Sequence, residues 1–269
     1  MTENYTFAFI GCGNMGGALA AAAAKGNPDA AVAVCDVMPE KAHALANAYD
    51  NVSCVSMREA AQGSRYLFIG VKPQMLESLF SELRQFLPDD VILVSMAAGT
   101  SISDIVTLAG KTLPVIRIMP NIAVSVGKGV ILYDANEIVS AEDLEGFVKG
   151  MSYAGLLDHI DESKIDAASA ISGCGPAFAY MFIEALADGG VACGLPRDKA
   201  QKYAAAMLAG AGEHILASGM HPGALKDAVC SPGGTTIAGV KALEQAGFRG
   251  AAFEAVCAAY EKTLALKEK

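Results

Sequence analysis

The run Phe7-Ala8-Phe9-Ile10-Gly11-Cys12-Gly13-Asn14-Met15-Gly16, followed by the alanine-rich residues 18–24, decides the fold of this 269-residue chain. The apolar residues before Gly11 predict a buried strand, the glycines a tight turn and the alanines a helix. The glycines have the spacing G-x-G-x-x-G between a strand and a helix, the setting that spacing requires. Gly11 serves the turn, Gly13 lets a pyrophosphate approach the backbone, and Gly16 lets the helix pack on the strand. Phosphate then meets the unpaired amides and positive dipole end at the helix N-terminus. The alternative is a glycine-rich turn in an α/β protein that binds no nucleotide. Candidate cofactor contacts are therefore Ile10, Gly11, Cys12, Gly13, Asn14, Met15 and Gly16.

Working outward, short apolar runs at 6–10, 31–35, 66–71, 91–95 and 115–119 alternate with helical stretches. That rhythm predicts βαβ units and a parallel sheet. From about Ser140 the chain turns to long segments rich in Ala, Leu, Met, Glu and Lys, and the second half is expected to be almost wholly helical. The boundary is placed near Ile160, giving a dinucleotide-binding domain at 1–160 and a helical domain at 161–269. The helix opening at Pro176 carries Phe178, Tyr180, Met181, Ile183, Leu186 and Val191 around most of its circumference, so it needs neighbours on several sides. Intertwined dimerisation provides them, and so does a wrapping by its own domain.

The strand ends supply further candidates, because open α/β sheets bind ligands at their carboxyl edge. Asp36 closes the second strand, where a carboxylate accepts bonds from the adenosine ribose hydroxyls and repels a 2′-phosphate, favouring NADH over NADPH; its alternative is a cap on the turn before Pro39. Val71, Lys72 and Pro73 close the next strand at that carboxyl edge, and Met96, Ala97 and Ala98 the one after, with small residues that leave room for a flat nicotinamide. Lys72 reads equally as a partner for cofactor or substrate charge and as a solvated residue. Asn121 reads as a bond to the cofactor's ribose or amide, or as an Asx-turn.

A second motif lies far downstream: Ser231-Pro232-Gly233-Gly234-Thr235-Thr236. Gly233 and Gly234 expose backbone amides just before a helical pattern, a setting for a small carboxylate, and Ser231, Thr235 and Thr236 add hydroxyls. An N-capped helix after a turn is the alternative. None of these residues is a strong acid or base. Ketone reduction needs a proton donor for the developing alkoxide, whereas a protonated imine accepts hydride and becomes a neutral amine.

Composition narrows the classes. The chain is 53% hydrophobic with a formal charge of -9 and no basic stripe, so no nucleic-acid partner is expected. Seven scattered cysteines without a Cys-x-x-Cys pair read as reduced and cytosolic, and no metal site is expected. The N-terminus lacks the pattern of a secretory signal, and the alanine run is too short for a membrane span, so no membrane role and a cytoplasmic location are expected.

The chain as a whole resembles the pyrroline-5-carboxylate reductases, which catalyse the final step of proline biosynthesis. The resemblance rests on His221-Pro222-Gly223-Ala224-Leu225-Lys226-Asp227, on Cys230 through Thr236, on Leu243-Glu244 and on Gly247-Phe248-Arg249. It is supported by Val71-Lys72-Pro73, Ala97-Ala98-Gly99, Arg117-Ile118-Met119-Pro120-Asn121, Ser172-Gly173-Cys174-Gly175-Pro176-Ala177-Phe178 and Ala185-Leu186-Ala187-Asp188-Gly189-Gly190. It implies an N-terminal Rossmann domain with a parallel doubly wound sheet and an all-α C-terminal dimerisation domain. The resemblance thereby implies a homodimer, and often larger rings of such dimers. It further implies NADH or NADPH as hydride donor, Ser231 and the Gly233–Thr236 turn as the carboxylate site, Thr236 against the ring nitrogen, and Glu162 at the border of the substrate pocket; surface solvation is the alternative for Glu162. Departures are Cys174 where serine is usual, Ile122-Ala123 where threonine-proline is common, and Asp36 where many relatives carry neutral or basic residues. A β-hydroxyacid dehydrogenase shares the fingerprint but wants a lysine on the interdomain helix, and none occurs between Pro176 and Arg197. A nucleotide-sensing protein without turnover is the reading from outside the enzymes.

Overall fold

The computed structural model describes residues 5–267. The first part alternates β1 (Tyr5–Ile10), α1 (Asn14–Gly26), β2 (Val32–Cys35), α2 (Pro39–Ala48), β3 (Val52–Cys54), α3 (Met57–Gly63), β4 (Ser64–Ile69), α4 (Leu76–Leu83), β5 (Ile92–Ser95), α5 (Ile102–Ala109) and β6 (Val115–Pro120). It continues through β7 (Gly129–Ala135), α6 (Ala141–Met151), β8 (Gly155–His159) and α7 (Glu162–Ser172). The strands form one sheet in the order β3-β2-β1-β4-β5-β6-β7-β8. Neighbours are parallel except β6 and β7. The order reverses between β1 and β4, and the carboxyl ends of those two strands frame the crevice where such sheets bind ligands.

Helices cover both faces, so the central strands read as unbroken apolar runs. Phe7, Phe9, Phe68 and Phe147 anchor one face and Leu67, Ile69, Leu83 and Leu93 the other. Phe9 stacks on Phe68 at 4.3 Å between ring centroids. The five expected strands are present. Three more, β3, β7 and β8, lie where none was expected. β3 has only three residues, and β7 and β8 carry glycine and aspartate within short apolar stretches, leaving little period-2 signal.

The chain folds as two units, divided between Gly173 and Cys174, with the first taking in the chain again from Tyr260. The division falls beyond the expected Ile160 because α7 is bound to the sheet by charge. Arg117 on β6 reaches Glu162 and Asp166 at 3.1 Å each, and Asp134 on β7 accepts the Glu162 amide at 2.6 Å. Apolar periodicity carries no trace of such polar anchors.

The second unit is helical: α8 (Gly175–Ala192), α9 (Arg197–Ser218), α10 (Pro222–Ala228), α11 (Thr235–Gln245) and the start of α12 (Phe248–Lys267). α8 and α9 pack closely at Gly190, where an added methyl would lie 3.1 Å from the Ala200 side chain. Around α8 the single chain leaves Tyr180 and Met181 exposed, at 59% and 69%. The stretch Glu162–Ala192 is long and apolar enough, by length and composition, to cross a membrane.

Candidate functional site

The fingerprint glycines separate into two kinds when a methyl is imagined on each. At Gly11, whose φ is +95°, it would lie 2.7 Å from the Gly70 carbonyl oxygen, and at Gly70 the same distance from the Gly11 oxygen. At Gly16 it would overlap the Gly11 oxygen. These three hold β1, β4 and α1 against one another. At Gly13 it would meet no protein atom within 4 Å. Gly13 thus faces open space at the N-terminus of α1, where it is the N-cap, extended in backbone, with no side-chain cap and no acid in the first turn. That terminus can take an anion, and the dinucleotide reading fits it. Gly70 is an interlocking glycine that motif reading passed over, because it lies outside the G-x-G-x-x-G spacing.

The other candidates along this edge sort by exposure. Asn14, Lys72, Pro73 and Ala98 are open, and Met15, Val71 and Met96 are half-buried. Ile10, Cys12 and Ala97 are buried, so their side chains belong to the core. Asp36 is half-buried at the end of β2, with Oδ2 accepting the Cys12 amide at 2.6 Å and Oδ1 the Met38 amide at 2.8 Å. The turn-capping alternative is thereby realised, and a bond to the fingerprint loop is added.

Two candidates have structural partners on other elements. Asn121 Oδ1 accepts the Ala123 and Val130 amides at 3.2 Å each, while Nδ2 donates to the Ser172 carbonyl at 2.8 Å. The buried side chain forms the Asx-turn of the alternative reading and ties β6 and β7 to the end of α7, with both of its polar atoms engaged by protein. Glu162 belongs to the first unit, where Oε1 accepts the Ile102 amide at 2.8 Å, at the N-terminus of α5, and pairs with Arg117. Its side chain is thus held by two protein partners and half-buried, not freely solvated. Arg117, 2% exposed, was quoted only within a motif, yet it joins β6 to α7 through two carboxylates.

In the second unit, Ser231 to Gly234 form a turn closed by the Gly234 amide donating to the Ser231 carbonyl at 3.0 Å. Pro232 follows its first position, and Gly233 takes φ +70°, the left-handed value that glycine adopts without strain. The turn delivers Gly234 as the extended N-cap of α11, again with no side-chain cap and no acid in the first turn. Ser231, Thr235 and Thr236 are exposed beside it. Nearby signature residues have structural work: His221 Nδ1 caps α10 through the Gly223 amide at 3.0 Å, and Arg249 pairs with Glu244 at 2.6 Å across the Gly247 turn.

Residues 162–266 match the family described as pyrroline-5-carboxylate reductase dimerisation, and residues 6–99 match NADP oxidoreductase, coenzyme F420-dependent. A pyrroline-5-carboxylate reductase of Escherichia coli is 38% identical over 257 residues, covering 95% of this chain and 96% of its own. The chain belongs to the pyrroline-5-carboxylate reductase family. The solved pyrroline carboxylate reductase of Plasmodium falciparum, with NADP bound, is 30% identical with a TM-score of 0.85, over 98% of this chain and 100% of its own. The pyrroline-5-carboxylate reductase of Coxiella burnetii is 27% identical with a TM-score of 0.90 over the whole of both chains. Membership accounts for a helical unit whose longest apolar helix is left open in the single chain.

Proposed function

We propose that this protein reduces 1-pyrroline-5-carboxylate to L-proline with a reduced nicotinamide dinucleotide, as its family membership indicates. The observation that carries the reading is the uncapped N-terminus of α11 behind the Pro232-Gly233 turn. Its amides and the hydroxyls of Ser231, Thr235 and Thr236 form an anion site containing no acid or base, as expected where the substrate already carries its proton. In this reading the amides of Gly233, Thr235 and Thr236 hold the carboxylate, that of Gly234 being taken by the Ser231 carbonyl, and the Thr236 hydroxyl contacts the ring nitrogen. The dinucleotide lies with its pyrophosphate at Gly13 and its ring toward Met96 and Ala98, with Lys72 beside its charged groups. When bound, it supplies the hydride that C5 of the substrate accepts. Orientation provides most of the acceleration, since no side chain in the turn has to move a proton.

Asp36 gives this chain a preference for NADH. Its carboxylate keeps lone pairs for ribose hydroxyls and places negative charge where NADPH carries its 2′-phosphate. Oxidation of NADH and of NADPH, each measured with pyrroline-5-carboxylate, tests activity and preference together. Higher kcat/KM with NADH is expected, and a marked advantage for NADPH overturns the preference. No turnover with either overturns the function.

A homodimer covers the apolar face of α8, and rings of such dimers are the larger assembly expected. Glu162, Lys164 and Asp166 in the first part of the apolar stretch, with Glu162 and Asp166 paired to Arg117, argue against a membrane span there. Seven unpaired cysteines fit the reducing cytoplasm.

A further inference from the structure

Three bonds join the fingerprint loop to the end of β2. The Gly11 amide donates to the Cys35 carbonyl at 2.9 Å, the Cys12 amide to Asp36 Oδ2 at 2.6 Å, and the Cys12 thiol to the Cys35 carbonyl at 3.5 Å. The first needs only backbone and the third involves sulfur, a weak donor. The second is a short, charge-assisted bond from a residue 7% exposed to a carboxylate. The other oxygen of Asp36 holds the Met38 amide at 2.8 Å, so one carboxylate bridges two backbone segments and is fixed from both sides. Burial and the charge of Asp36 push the Cys12 thiol up to about 12, so it stays a neutral donor. Cys12 immediately precedes Gly13, the one fingerprint glycine open to a ligand.

We propose that Asp36 is a positioning residue for the phosphate loop as well as a discriminator of the ribose, so that a neutral residue at 36 weakens binding of both nicotinamides instead of converting the protein to NADPH. The proposal rests on the cofactor site described above. A carboxylate acting only through the ribose end would leave the loop untouched. One that also holds the Cys12 amide sets the pose of the amides that follow.

Amide hydrogen exchange on the full-length protein without cofactor reads the tie directly. In Asp36→Ser, exchange in the segment 10–16 is expected to be roughly tenfold faster than in the wild type, as for loss of one charge-assisted bond. Asp36→Asn keeps one acceptor oxygen and is expected to fall between the two, which also serves if the serine variant folds poorly. kcat/KM is expected to fall about fivefold or more with NADH and to fall with NADPH too. Unchanged exchange in both variants, or a rise in kcat/KM with NADPH, overturns the proposal. Adding NADH to the wild type separates the two layers. If NADH leaves segment 10–16 unprotected, the cofactor-site reading fails and the proposal falls with it. If NADH protects the segment while the variants exchange like the wild type, the reading stands and only the proposal is overturned.

Discussion

A single methyl distinguishes the roles of the fingerprint glycines. Alanine at Gly13 meets no protein atom, so Gly13→Ala is expected to keep its unfolding free energy within about 1 kcal/mol while raising KM for NADH roughly tenfold or more by blocking phosphate approach. Alanine at Gly16 presses on the Gly11 carbonyl and is expected to cost about 1–3 kcal/mol in a urea titration. Cys12 and Cys35 give a pH signature. Burial, helped by neighbouring charge, pushes both thiols up to about 12, from 9.0 in the open chain. The folded state therefore holds protons that the unfolded chain releases, and this stabilisation is complete below about 9 and lost as pH rises from there toward 12. The urea midpoint is expected to fall between about pH 8 and pH 10.5, and to fall less in Cys35→Ala. Glycine roles were legible from spacing because each follows from local backbone geometry. The Asp36–Cys12 bond was not, since it joins residues 24 apart and depends on strand register.

Among the elements, α1 and α11 share one device, a helix opening on glycine without a side-chain cap, whereas α3, α5 and α6 are capped by Ser56, Ser101 and Ser140. The exposed hydroxyls beside α11 make Thr236→Ala the direct test of the second site. Turnover is expected to fall about ten- to a hundredfold, matching one bond to a charged group worth roughly 1.5–3 kcal/mol, with Tm nearly unchanged. Unchanged kinetics would remove Thr236 from the mechanism. The tie between β6 and α7 is of another kind. Asp166 is 5% exposed against Arg117, and Asp166→Ala, by leaving a buried guanidinium under-compensated, is expected to cost about 3–5 kcal/mol in denaturant unfolding. Both glycine-opened helices were visible in the sequence as glycine clusters before apolar patterns. The anchoring of α7 was not, because a buried arginine looks like any other charge until its partners on another element are known. For the same reason the pairing of Glu162 with Arg117 was not foreseen.

At the scale of the molecule, the chain divides a nucleotide-type sheet from a helical unit that leaves large apolar side chains open when single. Phe253, at 68% exposed, joins Tyr180 and Met181 in that unpartnered set. A charge at the helix face, Met181→Asp, is expected to shift the particle toward monomer in light scattering and to lower Tm, whereas the wild type runs as a dimer or a multiple of it. The need for neighbours on several sides was legible from the all-round hydrophobicity of residues 176–191, but whether they come from the same chain or a second copy was not; the number of dimers in a ring depends on surface shape that no periodicity records. In the proposed function each unit offers an uncapped helix N-terminus to an anion, the pyrophosphate at Gly13 and the carboxylate at 233–236. A crystal structure of the protein with L-proline and NAD tests it most directly. The proline carboxylate is expected on the amides and hydroxyls that open α11 and the pyrophosphate on the amides that open α1; proline bound away from residues 231–236 would contradict this assignment.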